Sequence, residues 1–265
     1  MDSMEHHSSP VRAAAVKRVI PAATVVIFRH GRDGAAPELL MVQRARAMRF
    51  AGGAAVFPGG RIDAADRELA AELLPQADQA IAAGRIAAIR ETLEETGLAI
   101  ALSAPVSAEE AARARAMLLA EGKLAPVLAA FGWTLEPERL TLYAHWCPQS
   151  DGAFDTHFFV TDLGTGTVDI AIDATENTRL FWTSAAHALE MADAGEISVI
   201  FPTRRNLERL AQFATFDEAL AQIARHPVRR IWADIIERDG ESWLEIPDGH
   251  GYPVLGQPLS TALRG

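Results

Sequence analysis

Thiols are nearly absent from this 265-residue chain: Cys147 is the single cysteine, so no disulfide can form within it. A reducing compartment, the cytoplasm, fits that usage. Cys147 follows Trp146 and reads as a small buried apolar residue rather than a nucleophile. No run of about 18 apolar residues occurs, so no membrane span is expected. The opening stretch MDSMEHHSSPVRAAAVKR has no apolar centre of the kind a secretory signal needs. His6 and His7 within it read as solvated tail residues. Positive charge is also short. Lysine and arginine number 25 against 35 acids, a net charge of −10. That argues against a nucleic-acid binder, which needs a basic face. It leaves room for a small anionic substrate held by a local basic site or a metal.

Hydrophobic residues make up 49% of the chain, enough for a substantial core. Residues 1–17 read as a flexible tail. VIPAATVVIFRH (19–30) is apolar and β-branched, a buried strand; GRDGAAP (31–37) turns it into a second strand, ELLMVQRA (38–45). AGGAAVFPGGRID (51–63) is dense in glycine, with a short strand at its centre. The alanine-, leucine- and glutamate-rich stretch that follows favours helix, and Pro75 breaks it into a short and a long piece. Ile86, Ile89 and Leu93 give the long piece an apolar face, and Gly97 falls where a left-handed cap belongs. Residues 107–122 open with Ser107 and Glu110, the spacing of a capping box, and LAPVLAAFG makes a further helix. Strands are expected over 139–148, 154–163 and 177–184. Three apolar-striped helices come next, beginning near 185, 202 and 216, and a closing hairpin turns at ERDGE. The simplest layout is one α/β domain over 18–265, with a helical insertion at about 103–135 and a C-terminal extension at about 200–265.

The sharpest local feature is RETLEETG, residues 90–97. Glu91, Glu94 and Glu95 share one helix face, where like charges repel by a few tenths of a kcal/mol per pair. They also sit in the last turns, where the helix dipole disfavours each carboxylate by roughly 0.3–1 kcal/mol. Arg90 pairs with Glu94 and offsets only one charge. Two readings fit the stretch by itself: a solvated acidic helix end, or a site for a hard cation that takes carboxylate oxygens.

PGGRIDAAD followed by RETLEETGL resembles the Nudix box, G-x5-E-x7-R-E-U-x-E-E-x-G-U with U bulky and aliphatic. Gly60 matches the first glycine; Arg90, Glu91, Glu94, Glu95, Gly97 and Leu98 match the second half. There are three departures. Arg90 lies 16 positions beyond position 74, where the family's spacing from Gly60 puts it, so the box carries an insertion. The position due a glutamate is Asp66, with Glu68 and Glu72 as other candidates for its role. Thr92 stands where an aliphatic residue is usual. The resemblance implies an α/β/α sandwich around a mixed sheet, and hydrolysis of a diphosphate linked to another moiety. It further implies Mg²⁺ or Mn²⁺ held by Glu91, Glu94 and Glu95, with Glu94 also a candidate to help deprotonate water. Arg90 is expected to hold the glutamates, while Gly59 and Gly60 bring the backbone close to the site. Glu176, outside the box, is a candidate general base; a plain loop carboxylate is the other reading. His145 and His157, on strands, read as packed or hydrogen-bonded rather than as ligands. Nudix enzymes are often dimers, so a homodimer is a further expectation, with a small nucleotide as substrate.

Upstream, RARAMRFAGGAAVFPGG places Arg44, Arg49, Gly53 and Phe57-Pro58-Gly59-Gly60 at fixed spacings. It resembles the coenzyme A signature of a Nudix subgroup, complete from Arg44 onward and departing at Met41 and Val42. Arginine suits that substrate, because its fork recognises phosphate and stays charged. An ordinary basic turn made of Arg44, Arg46 and Arg49 is the alternative. FDTHFF, ENTRLFW and FPTRRNL are also similar to a coenzyme A branch that carries a box insertion, so the resemblance spans roughly 19–215. Arg204 and Arg205 read as surface charges rather than phosphate contacts. The chain ends in ALRG, without the Ser-Lys-Leu address of the branch's peroxisomal members.

Overall fold

The computed structural model describes residues 18–31, 34–45, 51–148, 150–163 and 177–262. The tail at 1–17, Arg46, Arg49 and Glu176 lie outside the described residues.

A mixed sheet forms the centre. β1 (Ile20–Arg29) runs antiparallel to β2 (Glu38–Arg44) and to the short β4 (Gly59–Arg61); β3 (Ala55–Val56) lies beside β2. On its other side β1 runs parallel to β6 (Phe154–Asp162), from Ile20 against Phe154 to Phe28 against Asp162. β5 (Thr141–Trp146) pairs antiparallel with β6 and parallel with the two-residue β8 (Arg230–Ile231). β7 (Asn177–Ser184) pairs antiparallel with β2, and its register shifts where Arg44 meets Asn177.

Alternation along the strands feeds two cores, because successive side chains leave opposite faces. Ala23, Val25, Ile27 and Leu40 go to one face. They meet α1 (Ala64–Leu73), α2 (Gln79–Thr96), α3 (Ala108–Glu121) and α4 (Leu124–Phe131) through Leu69, Ile86, Leu93, Leu118 and Val127. Val26, Phe28, Leu39 and Met41 go to the other. There they meet α5 (Ala185–Asp193), α6 (Phe201–Leu210) and α7 (Phe216–Arg225) through Met191, Phe201, Leu207 and Ala219. The result is the expected α/β/α sandwich around a mixed sheet. The closing hairpin, β9 (Asp234–Arg238) and β10 (Glu241–Glu245), joins β11 (Gly256–Pro258) in a separate three-stranded sheet. No helix among the described residues is long and apolar enough to cross a membrane.

The expected punctuation operates locally. Pro75 lies between α1 and α2; Asp78 caps α2 by accepting from the Ala80 and Ile81 amides; Gly97 closes it at φ 72°. Ser107 caps α3 through the Glu110 amide. Cys147 is buried beyond β5. Arg205 departs from the surface reading. It is 1% exposed, and its guanidinium donates to Glu208, the Gly256 carbonyl and Gln257, tying α6 to the C-terminal segment.

Candidate active site

The second half of the acidic motif occupies the last turns of α2, and Gly59 and Gly60 lie against it on β4. A side chain would meet an obstacle at either glycine, movable at Gly60 and rigid at Gly59. A methyl group on Gly60 would overlap the Glu91 carboxylate, and one on Gly59 would overlap the Ala23 carbonyl oxygen on β1. The Gly59 amide donates to Glu95 Oε2 at 3.0 Å. The glycines therefore let the strand pass within contact distance of two glutamates.

Arg90 organises the rest. Its side chain is 4% exposed and makes a two-point pair with Asp66: Nε donates to Oδ1 and Nη2 to Oδ2, both at 2.9 Å. Nη1 donates to Glu91 Oε1 and Glu94 Oε2, both at 3.0 Å, and Nη2 also reaches the Arg61 carbonyl. Asp66 is 1% exposed on α1, whereas Glu68 and Glu72 face solvent. Asp66 is therefore the acid that faces Arg90. It also accepts from the Asp63 amide at the start of α1, so one carboxylate caps that helix and anchors the arginine. The chain between Asp66 and Arg90 completes α1, turns at Pro75 and begins α2, and the two helices pack so that Asp66 meets Arg90. Thr92, fully buried, satisfies its hydroxyl on the Ala88 carbonyl one turn back, at 2.7 Å.

The electrostatics are unbalanced. Burial, and then Glu91, push Glu95 up to about 8 against the opposing pull of the Gly59 amide, Arg44 and Asn177. Burial lifts Glu91 to about 7 against the pull of Arg90, and burial also raises Glu94. Burial works against a charged Arg90, but its carboxylate neighbours outweigh that and hold it protonated. Asp66, Glu91, Glu94 and Glu95 thus share Arg90 and Arg44, a deficit of positive charge in a poorly solvated place. Among the described residues no three acid, histidine or cysteine side chains converge on one point as they stand. Arg90 engages Glu91 and Glu94, and Gly59 engages Glu95. Hard carboxylate donors with unneutralised charge fit a divalent cation such as Mg²⁺ or Mn²⁺ in chemistry and sign.

Arg44 closes the site from β2. It favours the ionised form of Glu95, and its Nε is buried without a hydrogen-bond partner. Two contributors carry no site signal of their own in the sequence, although Asn177 falls within ENTRLFW. Arg115, on α3, donates through Nε to the Glu94 carbonyl at 2.8 Å. Asn177, 1% exposed, stands beside Glu95. Only their placement by the fold reveals them.

Other residues lie elsewhere. His145 bonds Asp155, which also accepts from Arg230, and the His145 and His157 rings are 4.3 Å apart. Burial, then the neighbouring His145, lower His157 to about 4. An open cavity of about 450 Å³ lies past the end of α2, lined by Leu98, Val106, Arg139 and Asp162 among others; none of the four carboxylates borders it.

No family model matches the chain, and no curated protein matches it. Solved structures do. The fold is that of Nudix hydrolases. In particular, the chain is similar to the Nudix hydrolase from Alicyclobacillus acidocaldarius, with 28% identity over 78% of this chain and 97% of that one, and a TM-score of 0.64. Weaker matches are the MutT protein from Methanosarcina mazei Go1 (15% identity, 75% and 97% covered, TM-score 0.42) and the Nudix domain of Shewanella oneidensis NrtR complexed with ADP ribose (14%, 74% and 89%, 0.40).

Proposed function

We propose that the chain hydrolyses a diphosphate bond in a nucleoside diphosphate linked to another moiety, with coenzyme A or an acyl-coenzyme A as substrate. The products are 4′-phosphopantetheine and adenosine 3′,5′-bisphosphate. The observation that carries the reading is the cluster of Glu91, Glu94 and Glu95 around one arginine and one backbone amide. These three glutamates would hold Mg²⁺ or Mn²⁺, which when bound lowers the pKa of water and neutralises charge on phosphoryl oxygens. Arg90, fixed by Asp66, orients Glu91 and Glu94. Gly59 orients Glu95. Glu94, the most exposed of the three, would take a proton from the attacking water, with Glu176 a further candidate base.

The coenzyme A assignment rests on the Arg44 to Gly60 spacing and on Arg44 lying beside Glu95. Arg49 would take the extra phosphate that distinguishes this substrate, and Arg44 a phosphoryl oxygen of the diphosphate, so coenzyme A would lose two contacts in the double variant where ADP-ribose loses one. We assign the rest of the chain to one Nudix domain with a helical insertion and a C-terminal extension, acting in the cytoplasm, as a homodimer.

The test is a product assay by mass spectrometry with coenzyme A, ADP-ribose and a dinucleotide, each with Mg²⁺, Mn²⁺ or chelator. Metal-dependent release of 4′-phosphopantetheine alone is expected. Cleavage of ADP-ribose instead would discard the coenzyme A assignment and keep the metal site. Turnover of none, with tight binding, would make the chain a nucleotide sensor. Replacing Arg44 and Arg49 together by alanine should raise KM for coenzyme A more than for ADP-ribose; equal effects remove the specificity argument.

A further inference from the structure

Asn177 is the first residue of β7 and lies opposite Arg44 on β2, at the point where the pairing register shifts. It is 1% exposed, yet neither Nδ2 nor Oδ1 makes a hydrogen bond. Its amide favours the ionised form of Glu95 without reaching hydrogen-bond geometry. Arg44 Nε, on the facing strand, is likewise buried and unpartnered. Three orphaned polar atoms on paired residues, beside one box glutamate, are costly for a fold to keep unless something meets them. Leucine, with the same branching, would carry no polar atoms to leave unmet.

We propose that Asn177 and Arg44 form a seat for an anionic oxygen of the substrate's diphosphate, next to the Glu95 carboxylate. The inference rests on the nucleotide-diphosphatase reading and deepens it. Asn177 Nδ2 and Arg44 Nε are both donors, as a phosphoryl oxygen requires. The pairing register shifts at this pair, and both side chains act on Glu95. Asn177 falls within ENTRLFW, but this role shows only in its pairing with a residue more than a hundred positions away.

The experiment measures binding of the non-hydrolysable diphosphate α,β-methylene-ADP by calorimetry with Mn²⁺ present. Mn²⁺ affinity is read separately by electron paramagnetic resonance, and thermal stability is followed alongside. Asn177→Leu should weaken the probe about tenfold or more, the usual effect of deleting a hydrogen bond to a charged group. It should leave Mn²⁺ affinity unchanged and hold or raise the melting temperature. Asn177→Asp, with the same shape and an added negative charge, should weaken the probe further. Unchanged probe affinity in Asn177→Leu overturns the seat. So does a loss of Mn²⁺ affinity together with a lower melting temperature, which would make Asn177 a support for Glu95. A wild-type protein that binds Mn²⁺ but not the probe overturns the diphosphatase reading, and the seat with it.

Discussion

At the scale of single residues, the site is held by interactions that one substitution removes. Asp66→Ala leaves the Arg90 guanidinium buried without its two-point partner. Breaking such a pair from one side costs about 3–5 kcal/mol, which urea unfolding would register as a lower midpoint. An unchanged midpoint would mean that Glu91 and Glu94 suffice. The two glycines should separate. Gly59→Ala meets rigid backbone on β1 and should lower the melting temperature sharply. Gly60→Ala meets only the flexible end of Glu91, so it should spare the fold and reduce metal-dependent turnover. Equal melting temperatures would contradict this. The pH response follows from the raised glutamates. Folded Glu91 and Glu95, at about 7 and about 8 against an ordinary 4.5, retain protons that the unfolded chain has released. Without metal, stability should therefore fall as pH rises from about 4.5 to about 8. Saturating Mn²⁺ takes the ionised carboxylates and should remove that decline. Melting curves at several pH values, with chelator and with Mn²⁺, decide it.

At the scale of elements, the neighbouring helices are joined to α2 at specific points. α1 supplies Asp66, and α3 supplies Arg115 to the Glu94 carbonyl, one of the acceptors a helix end leaves unmet. Arg115→Ala should cost about 1 kcal/mol of stability, the net worth of one hydrogen bond. It should also lower kcat several-fold, because Glu94 shares the loosened turn. Full kcat with lowered stability would confine Arg115 to a packing role. Much of α2 was legible in sequence: its apolar face, Pro75 before it and Gly97 after it are local signals. The partner of Arg90 was not. Asp66, Glu68 and Glu72 are equivalent by spacing and chemistry, and the rotation of α1 against α2 buries only the first.

At the scale of the whole molecule, the second face of the sheet depends on the C-terminal residues. Ala219, Ile231, Ile246, Tyr252 and Ala262 complete the core that α5 and α6 begin. Arg209, 2% exposed, bonds Gln222 on α7 and the Tyr143 carbonyl on β5, so α6 is tied to both. A chain ended at Ala214 should expose that face, bind a hydrophobic dye and lose its cooperative unfolding transition; a cooperative transition at the full-length temperature would refute the dependence. Sequence alone determined the strands, the helix boundaries and the acidic turn, because alternation, caps and glycine positions act over a few residues. It also carried the box, whose second half is a single run of chain. Tertiary structure decided what distant segments meet: Asp66 with Arg90, Gly59 with Glu95, Arg44 with Asn177, and Arg205 in the interior instead of at the surface. Each depends on the packing of separate helices and strands, and burial, which sets the charge balance of the site, exists only once they have closed around it.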